Sequence, residues 1–397
     1  MPWEASSVMD QKVGFVSAWL AGEAPVTVLC ERWGISRQTG HLWLRRYRSE
    51  GPSGLEERSR APLHHGGAME PALALRLIGA RRNKPYWGPK KLLAILREEE
   101  PDRAWPSAST VSALFKREGL SEPRRRRRRV EALERPFAEA LEPNDTWCID
   151  FKGWFRTRDG RRCDPLTVSD AFSRMLLGLR ILDPVTEAVE QEMDRLFREH
   201  GLPRAIRSDN GPPFASSGAG GLTRLSARWA KLGLRLERIH PGCPQQNGRH
   251  ERMHGTLKAQ ACKPPEGNLT DQQRRFDAFR REYNHERPHE ALRQCQPARL
   301  YKPSPRPFPR RIPEPAYDKD ELVRHVRSNG EIRWNGGKLF VSEALVGEVV
   351  GLRQREDGSW IARFADVPLI IIDHTGQKVT RLGPQRPPRF NHNPKSA

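Results

Sequence analysis

The chain has 397 residues, too many for one ordinary core, so several domains are expected. Its 69 Lys and Arg against 49 Asp and Glu leave a formal net charge of +20, which favours a polyanionic partner, nucleic acid first and an anionic membrane surface second. No apolar run reaches the roughly 18 residues that a span requires, and Met1 to Asp10 carries no signal-peptide pattern, so no membrane partner is expected. The expected location is cytoplasmic, nucleoid-associated when the protein is bound to DNA. Cys30, Cys148, Cys163, Cys243, Cys262 and Cys295 lie far apart with no Cys-x-x-Cys pair, and they read as reduced structural residues.

In chain order, Lys12 to Leu20 reads as a helix with Val13, Val16 and Leu20 on one side, and Val28, Leu29 and Trp33 mark a second short helix. Gly34-Ile35-Ser36 then supplies a turn, an apolar residue for burial and an N-cap. The helix Arg37 to Arg48 follows, with Leu42 on its apolar side. This is the helix-turn-helix layout, over residues 1–60. A three-helix packing unit would share it, and the basic third helix tips the reading towards DNA, with Arg37, Gln38, Arg45 and Arg46 as contacts. Gly51 to Gly67 reads as a loop, whose His64 and His65 lack the Cys pair of a zinc finger. Leu73, Leu77 and Ile78, then Leu92, Leu93 and Leu96, then Val111, Leu114 and Phe115 behind a Ser107 cap, predict a second helix-turn-helix unit over 68–122. Arg124, Arg125, Arg126, Arg127, Arg128 and Arg129 are consecutive. Such a run cannot pack, and within a basic linker at 123–142 it reads as a tether on DNA phosphates.

From residue 143 the pattern changes to alternation. Trp147 to Gly153 is a strand with Asp150 inside it, where Asp is disfavoured and needs a partner such as a divalent metal. Pro165 to Val168 and Met175 to Leu182 complete a meander; Val185 to His200 is a helix, Ala205 to Arg207 a strand ending at Ser208-Asp209-Asn210-Gly211. Asp-Asn-Gly is a common turn signal, so it is Asp209's place at a strand's carboxyl end that raises its interest. Ser216 to Gly221 is a small-residue loop, Leu222 to Leu232 a helix and Leu234 to Ile239 a strand. This order describes a mixed five-stranded sheet flanked by helices, a compact α/β domain over 143–301 closed by a helix at Asp271 to Tyr283.

A Pro- and Gly-rich stretch, His240 to Gly248, then runs into a helix on which Met253, Leu257 and Ala261 share one face and Glu251, His254 and Lys258 another. Alone, that pattern is more often a solvated surface. His254 stays open between a DNA contact and a packing residue. Residues 302–316 read as a Pro-rich linker. Arg324 to Trp334, Lys338 to Ser342, Glu348 to Arg355, Trp360 to Phe364 and Leu369 to Asp373 read as strands of a small SH3-like β-barrel over 317–385, with a disordered tail at 386–397.

Three acids thus occupy recognisable positions: Asp150, Asp209 and Glu251. Carboxylates are the ligands of Mg²⁺, and phosphoryl transfer between nucleic-acid strands uses two such ions on the attacking and leaving oxygens. The segments Trp147 to Gly153, Arg207 to Pro212 and Pro244 to Arg252 resemble the integrase core of bacterial insertion-sequence transposases, which share the ribonuclease-H-like fold with retroviral integrases. Tyr283-Asn284 with Arg287-Pro288-His289 resembles the end of that core. The resemblance implies a catalytic, metal-binding triad of Asp150, Asp209 and Glu251, with two Mg²⁺ ions for which Mn²⁺ can substitute. Lys258 matches the basic residue that follows the Glu, and Asn247 and Arg249 join it as DNA contacts. Between Asp209 and Glu251 lie 41 residues, more than the resemblance implies, and the surplus is assigned to Ser216 to Gly221. The implied activity is transposition: binding terminal repeats in double-stranded DNA, hydrolysing the ends and joining them to target DNA, as at least a homodimer. The alternatives are a non-catalytic DNA-binding regulator and a nuclease that only hydrolyses.

Overall fold

The structure, a computed structural model, describes residues 7–58, 69–121, 140–239, 248–375 and 379–383. Arg124 to Arg129, His64, His65, Cys243 and Asn247 lie outside the described residues, as does the tail beyond residue 383. The chain divides after Leu73 into two compact units.

The first unit is helical. α1 (Val8–Leu20) starts at a capping box in which Ser7 and Asp10 satisfy each other's backbone N–H groups. α2 (Val26–Arg32) and α3 (Arg37–Glu50) follow, and Ser36 caps α3 by accepting from the Thr39 N–H at 3.2 Å, as the sequence predicts. The core is Phe15, Val16, Ala18, Leu29, Cys30, Leu44 and Leu55. Three apolar positions assigned to buried faces point outward instead: Val13, Leu20 and Leu42 are exposed. The larger aromatic side chains on α1 and α3, Phe15, Trp19 and Trp43, set the inward direction and rotate the aliphatic residues away. Gly51 to Leu55 is a short 3-10 segment rather than loop, and it delivers Leu55 to the core.

Gly40 fixes how closely these helices approach. A Cβ there would lie 2.4 Å from Cys30 Sγ and 3.1 Å from Phe15 Cζ. Gly40→Leu is expected to destabilise this unit by at least about 1–3 kcal/mol, the cost of overpacking a filled core. An unchanged thermal transition for that variant would contradict the packing.

Most of α4 (Pro71–Asn83) lies in the second unit, followed by α5 (Pro89–Glu99) and α6 (Ala108–Arg117). Leu77, Leu92, Leu93, Leu96, Val111, Leu114 and Phe115 are buried, seven of the nine residues that the periodicity selects, while Leu73 and Ile78 are half-buried. The α/β body follows: β1 (Thr146–Phe151), β2 (Phe155–Arg156), β3 (Arg162–Cys163), β4 (Pro165–Asp170), β5 (Leu176–Ile181), α7 (Thr186–His200), β6 (Ala205–Ser208), α8 (Arg224–Lys231), β7 (Arg235–Arg238), α9 (Gly248–Ala261), α10 (Leu269–Arg281) and α11 (Pro297–Leu300). The sheet order is β5-β4-β1-β6-β7, with β1 antiparallel to β4 and parallel to β6. It is the mixed five-stranded sheet expected; the two-residue strands β2 and β3 pair as a hairpin too short to register as alternation.

Strand alternation gives the sheet two apolar faces. Trp147, Ile149, Leu166 and Val168 pack against Met193, Leu196 and Phe197 of α7 and Trp229 of α8. On the opposite face Leu176 and Leu179 meet Met253, Leu257 and Ala261 of α9 and Phe276 of α10. The helices α4 and α5 are tied to the end of this body, where Trp87 Nε1–H donates to Glu282 at 3.0 Å and Lys84 pairs with Glu286 at 2.6 Å.

The C-terminal strands are β8 (Leu322–His325), β9 (Glu331–Trp334), β10 (Gly337–Phe340), β11 (Val349–Gln354), β12 (Trp360–Phe364), β13 (Val367–Ile372) and β14 (Val379–Arg381). They form an antiparallel sheet, β14-β13-β12-β11-β8, and a β9-β10 hairpin. Asn335 and Gly336 close that hairpin with φ of 43° and 75°, the signs a type I′ turn needs. The single strand expected over Arg324 to Trp334 is two strands, because Asn329-Gly330 turns the chain between them.

Two connecting segments carry more packing than their composition announces. The loop at Ser216 to Gly221 is where the C-terminal β domain meets the α/β body: Ala219 and Leu222, with Ala227 and Ala230 of α8, share one core with Val350, Leu352 and Leu369. Lys231 and Glu348 pair beside it at 2.9 Å. The stretch 302–316, read as a linker, lies along the body instead. Leu202 N–H donates to Arg306 O and Ser304 N–H to His200 O, each at 2.7 Å, while Phe308 and Ile312 pack on the α7 side of the core. Proline does not prevent this, since segments without regular hydrogen bonding can still bury apolar side chains.

Candidate active site

Sheet register builds the site. Asp150 lies opposite Thr167 and Cys148 opposite Ser169, so these four side chains share the face that Trp147 and Ile149 turn away from. Helix α9 covers that face, seating Met253, Leu257 and Ala261 at 3%, 0% and 1% exposure. The apolar stripe of α9 is therefore the one the helical wheel selects. Its other residues divide: Glu251 and Lys258 are exposed, whereas His254 turns inward.

Thr167 is the hub. Its hydroxyl donates to the Asp150 carbonyl at 2.9 Å and meets His250 Nε2 at 2.7 Å and His254 Nε2 at 2.8 Å. His250, 2% exposed, reaches Ser169 Oγ through Nδ1 at 2.9 Å. His254 Nδ1 stands 3.8 Å from Asp150 Oδ2. These contacts turn His254 towards the sheet, where it hydrogen-bonds Thr167 of β4 and stands beside the Asp150 carboxylate. Burial pushes His254 down to about 4, helped by the Lys152 charge, and pushes His250 well below the ordinary histidine range.

Asp150 is pushed up to about 7, first by burial, then by the charge of Asp209, with Glu251 adding to it. The Phe151 N–H and the Lys152 ammonium oppose that rise. Asp209, just after β6, is also raised by burial, against a hydrogen bond from the Gly211 N–H to its Oδ1 at 3.2 Å. One side chain thus forms the turn and contributes to the acidic group. The fold brings Asp209, from the end of β6, and Glu251, from α9, near enough to Asp150 of β1 that both of their charges raise it. Two half-buried carboxylates with a third, exposed one whose charge reaches Asp150 have the donor chemistry of a divalent cation site.

Outside the apolar stripe, Glu251 lines a groove with Tyr86, Arg252, Thr256 and Arg287, whose guanidinium groups suit a phosphate backbone. Arg37, Gln38 and Arg45 stand exposed on α3. Arg46 is half-buried with its guanidinium 4.9 Å from the Trp43 ring. The side chain of Arg249, like Asn247, falls outside the description. His250, Thr167 and Ser169 were not singled out by sequence. The available signals were the His250 and His254 spacing of one helical turn and two hydroxyl residues at alternate positions of an otherwise apolar strand.

Comparison with known proteins bears on the same segments. Residues 140–244 and 232–297 match the family described as Integrase core domain; residues 39–115 match a Homeodomain-like domain and 11–62 a Helix-turn-helix domain. The chain is 30% identical over 247 residues to the 31.7 kDa protein of insertion element IS407 from Burkholderia multivorans, covering 60% of this chain and 85% of that one. It is 29% identical over 290 residues to the 39.2 kDa protein of insertion element IS476 from Xanthomonas euvesicatoria, covering 71% and 79%. Among solved structures it is similar to the HTLV-2 integrase catalytic core domain in complex with magnesium, at 16% identity and a TM-score of 0.32 over 41% of this chain and 98% of that one.

Proposed function

Because the chain belongs to the bacterial insertion-sequence transposases built on an integrase-like core, we propose that it binds the terminal repeats of its element, hydrolyses the ends and joins them to target DNA. The observation that carries this reading is the state of Asp150, held near 7 by burial first and then by the charges of Asp209 and Glu251. Two Mg²⁺ ions, or Mn²⁺ in their place, would supply Lewis acidity to the attacking and leaving oxygens of an in-line displacement. The three carboxylates would hold them. Lys258, seven residues beyond Glu251 on α9 and exposed, would steady a DNA phosphate beside the acids.

The helix-turn-helix unit would read duplex DNA through Arg37, Gln38 and Arg45 at the start and middle of α3, the end of such a helix that faces base edges, with Arg46 as a further contact. The arginine run and Arg249 and Asn247 would add phosphate contacts. The C-terminal β domain is taken as SH3-like, and the chain as divided into the domains set out from the sequence, with 302–316 packed along the core domain. Two element ends must be held together for joining, which calls for at least a dimer on DNA.

The test is joining of a labelled terminal-repeat duplex to plasmid in Mg²⁺. Wild type is expected to form covalent product and Asp209→Asn to form none. Equal product from both would overturn the reading, cleavage without joining would leave a nuclease, and repeat binding with neither reaction a regulator.

A further inference from the structure

The hydrogen bonds around Thr167 assign the tautomers of both histidines. Of its three neighbours only the Asp150 carbonyl has no proton to give, so the hydroxyl proton goes there. The two oxygen lone pairs then accept from His250 Nε2–H and His254 Nε2–H. His250 Nδ1 is consequently an acceptor and takes the Ser169 hydroxyl proton. Both of its nitrogens are used, so His250 cannot bind a metal, although its ligand atoms lie within 4.8 Å of those of Asp150 and His254.

His254 ends differently. Its Nδ1 carries an unshared pair and faces Asp150 Oδ2 at 3.8 Å, one acceptor against another. Two acceptors so placed in a half-buried site repel unless a cation or proton stands between them. We propose that His254 Nδ1 is a nitrogen ligand of the divalent cation held by Asp150, an assignment that rests on reading the three acids as a metal site.

Three features favour a cation. Adjacent ligands of an octahedral ion at about 2.1 Å stand about 3 Å apart, so closing the present 3.8 Å by under about 1 Å, within reach of side-chain rotation, seats both on one ion. The Nε2–H anchored on Thr167 is the outer hydrogen bond that orients a metal-bound imidazole and sets its tautomer. His254 also lies three residues after Glu251, so the imidazole and an acid whose charge reaches Asp150 come from adjacent turns of α9. One nitrogen among oxygen donors shifts preference from Mg²⁺ towards later first-row ions such as Mn²⁺ and Co²⁺.

Pulsed EPR of the full-length protein with Mn²⁺ and without DNA reads this directly. Wild type is expected to show the ¹⁴N coupling of a directly bound imidazole. His254→Gln should lose that coupling and weaken Mn²⁺ binding by at least about tenfold, while His250→Gln should keep the coupling. Mn²⁺ bound to wild type without ¹⁴N coupling, or a coupling that survives in His254→Gln, would overturn the assignment and leave the three-acid site standing. Failure of wild type to bind Mn²⁺ at all would overturn both.

Discussion

Asp150→Asn is expected to abolish DNA joining and, in the presence of a chelator, to make the protein more stable. Loss of one preorganised electrostatic group in an active site costs about 10²–10³-fold in rate, and loss of a carboxylate that holds the metal is expected to reach at least the upper end. The stability gain has its own cause. In the metal-free chain the Asp150 carboxylate is withdrawn from water and faces Asp209 and Glu251, which together raise it to about 7. A folded value above the ordinary value of 3.8 means that ionisation opposes folding. The penalty is absent below about pH 4, grows as pH rises, and is complete above about pH 7. Asn carries no charge at any pH, so the variant should gain on the order of a few kcal/mol at pH 8 and little at pH 4. Denaturant midpoints at those two pH values, with EDTA, measure the difference. A variant no more stable than wild type at pH 8 would mean that neither burial nor the neighbouring acids penalise the Asp150 carboxylate in the folded chain. Stability gained where activity is lost is the expected mark of a functional site.

The second large effect concerns stability alone. β5 is the edge strand of the five-stranded sheet, and its outer backbone groups are satisfied by side chains. Asn284 accepts from the Leu176 N–H at 2.8 Å and donates to the Leu176 carbonyl at 2.9 Å. Gln273 does the same for the Ile181 N–H and the Leu179 carbonyl, and Arg280 donates to the Leu177 carbonyl at 2.8 Å. These contacts close an edge that would otherwise invite pairing with another chain. Asn284 is 2% exposed, so Asn284→Leu leaves both Leu176 groups buried and unpaired. At about 1–3 kcal/mol for each group, a loss of about 2–5 kcal/mol is expected, with a tendency to aggregate. A denaturant midpoint equal to wild type would show that the pairing contributes nothing. The Tyr283-Asn284 motif, noticed in the sequence only as part of a resemblance, thus has a structural cause.

Much of the architecture follows from local pattern. The alternation in Trp147 to Phe151, the 3.6-residue periodicity in Leu92 to Leu96 and the cap at Ser107 each report an environment that repeats along the chain, so a short window contains the information. The positions misread on α1 and α3 failed for a related reason. Aliphatic spacing selects one side there, and the aromatic residues decide which side faces inward. Composition describes a segment's freedom and not what it lies against, so the packing of 302–316 and of the loop at 216–221 is not legible in it.

The sequence by itself determined the mixed sheet, the strand position of Asp150, the turn at Asp209 and the apolar seam that places α9, since each depends on neighbours no more than a few residues away. Only the tertiary structure decided that Asp150, Thr167, Ser169, His250 and His254 form one hydrogen-bonded and charged group. The register of β1 against β4 and the descent of α9 onto that face bring together residues far apart in the chain. Repulsion among carboxylates and the tautomer of an imidazole depend on distance through space, which local pattern does not encode.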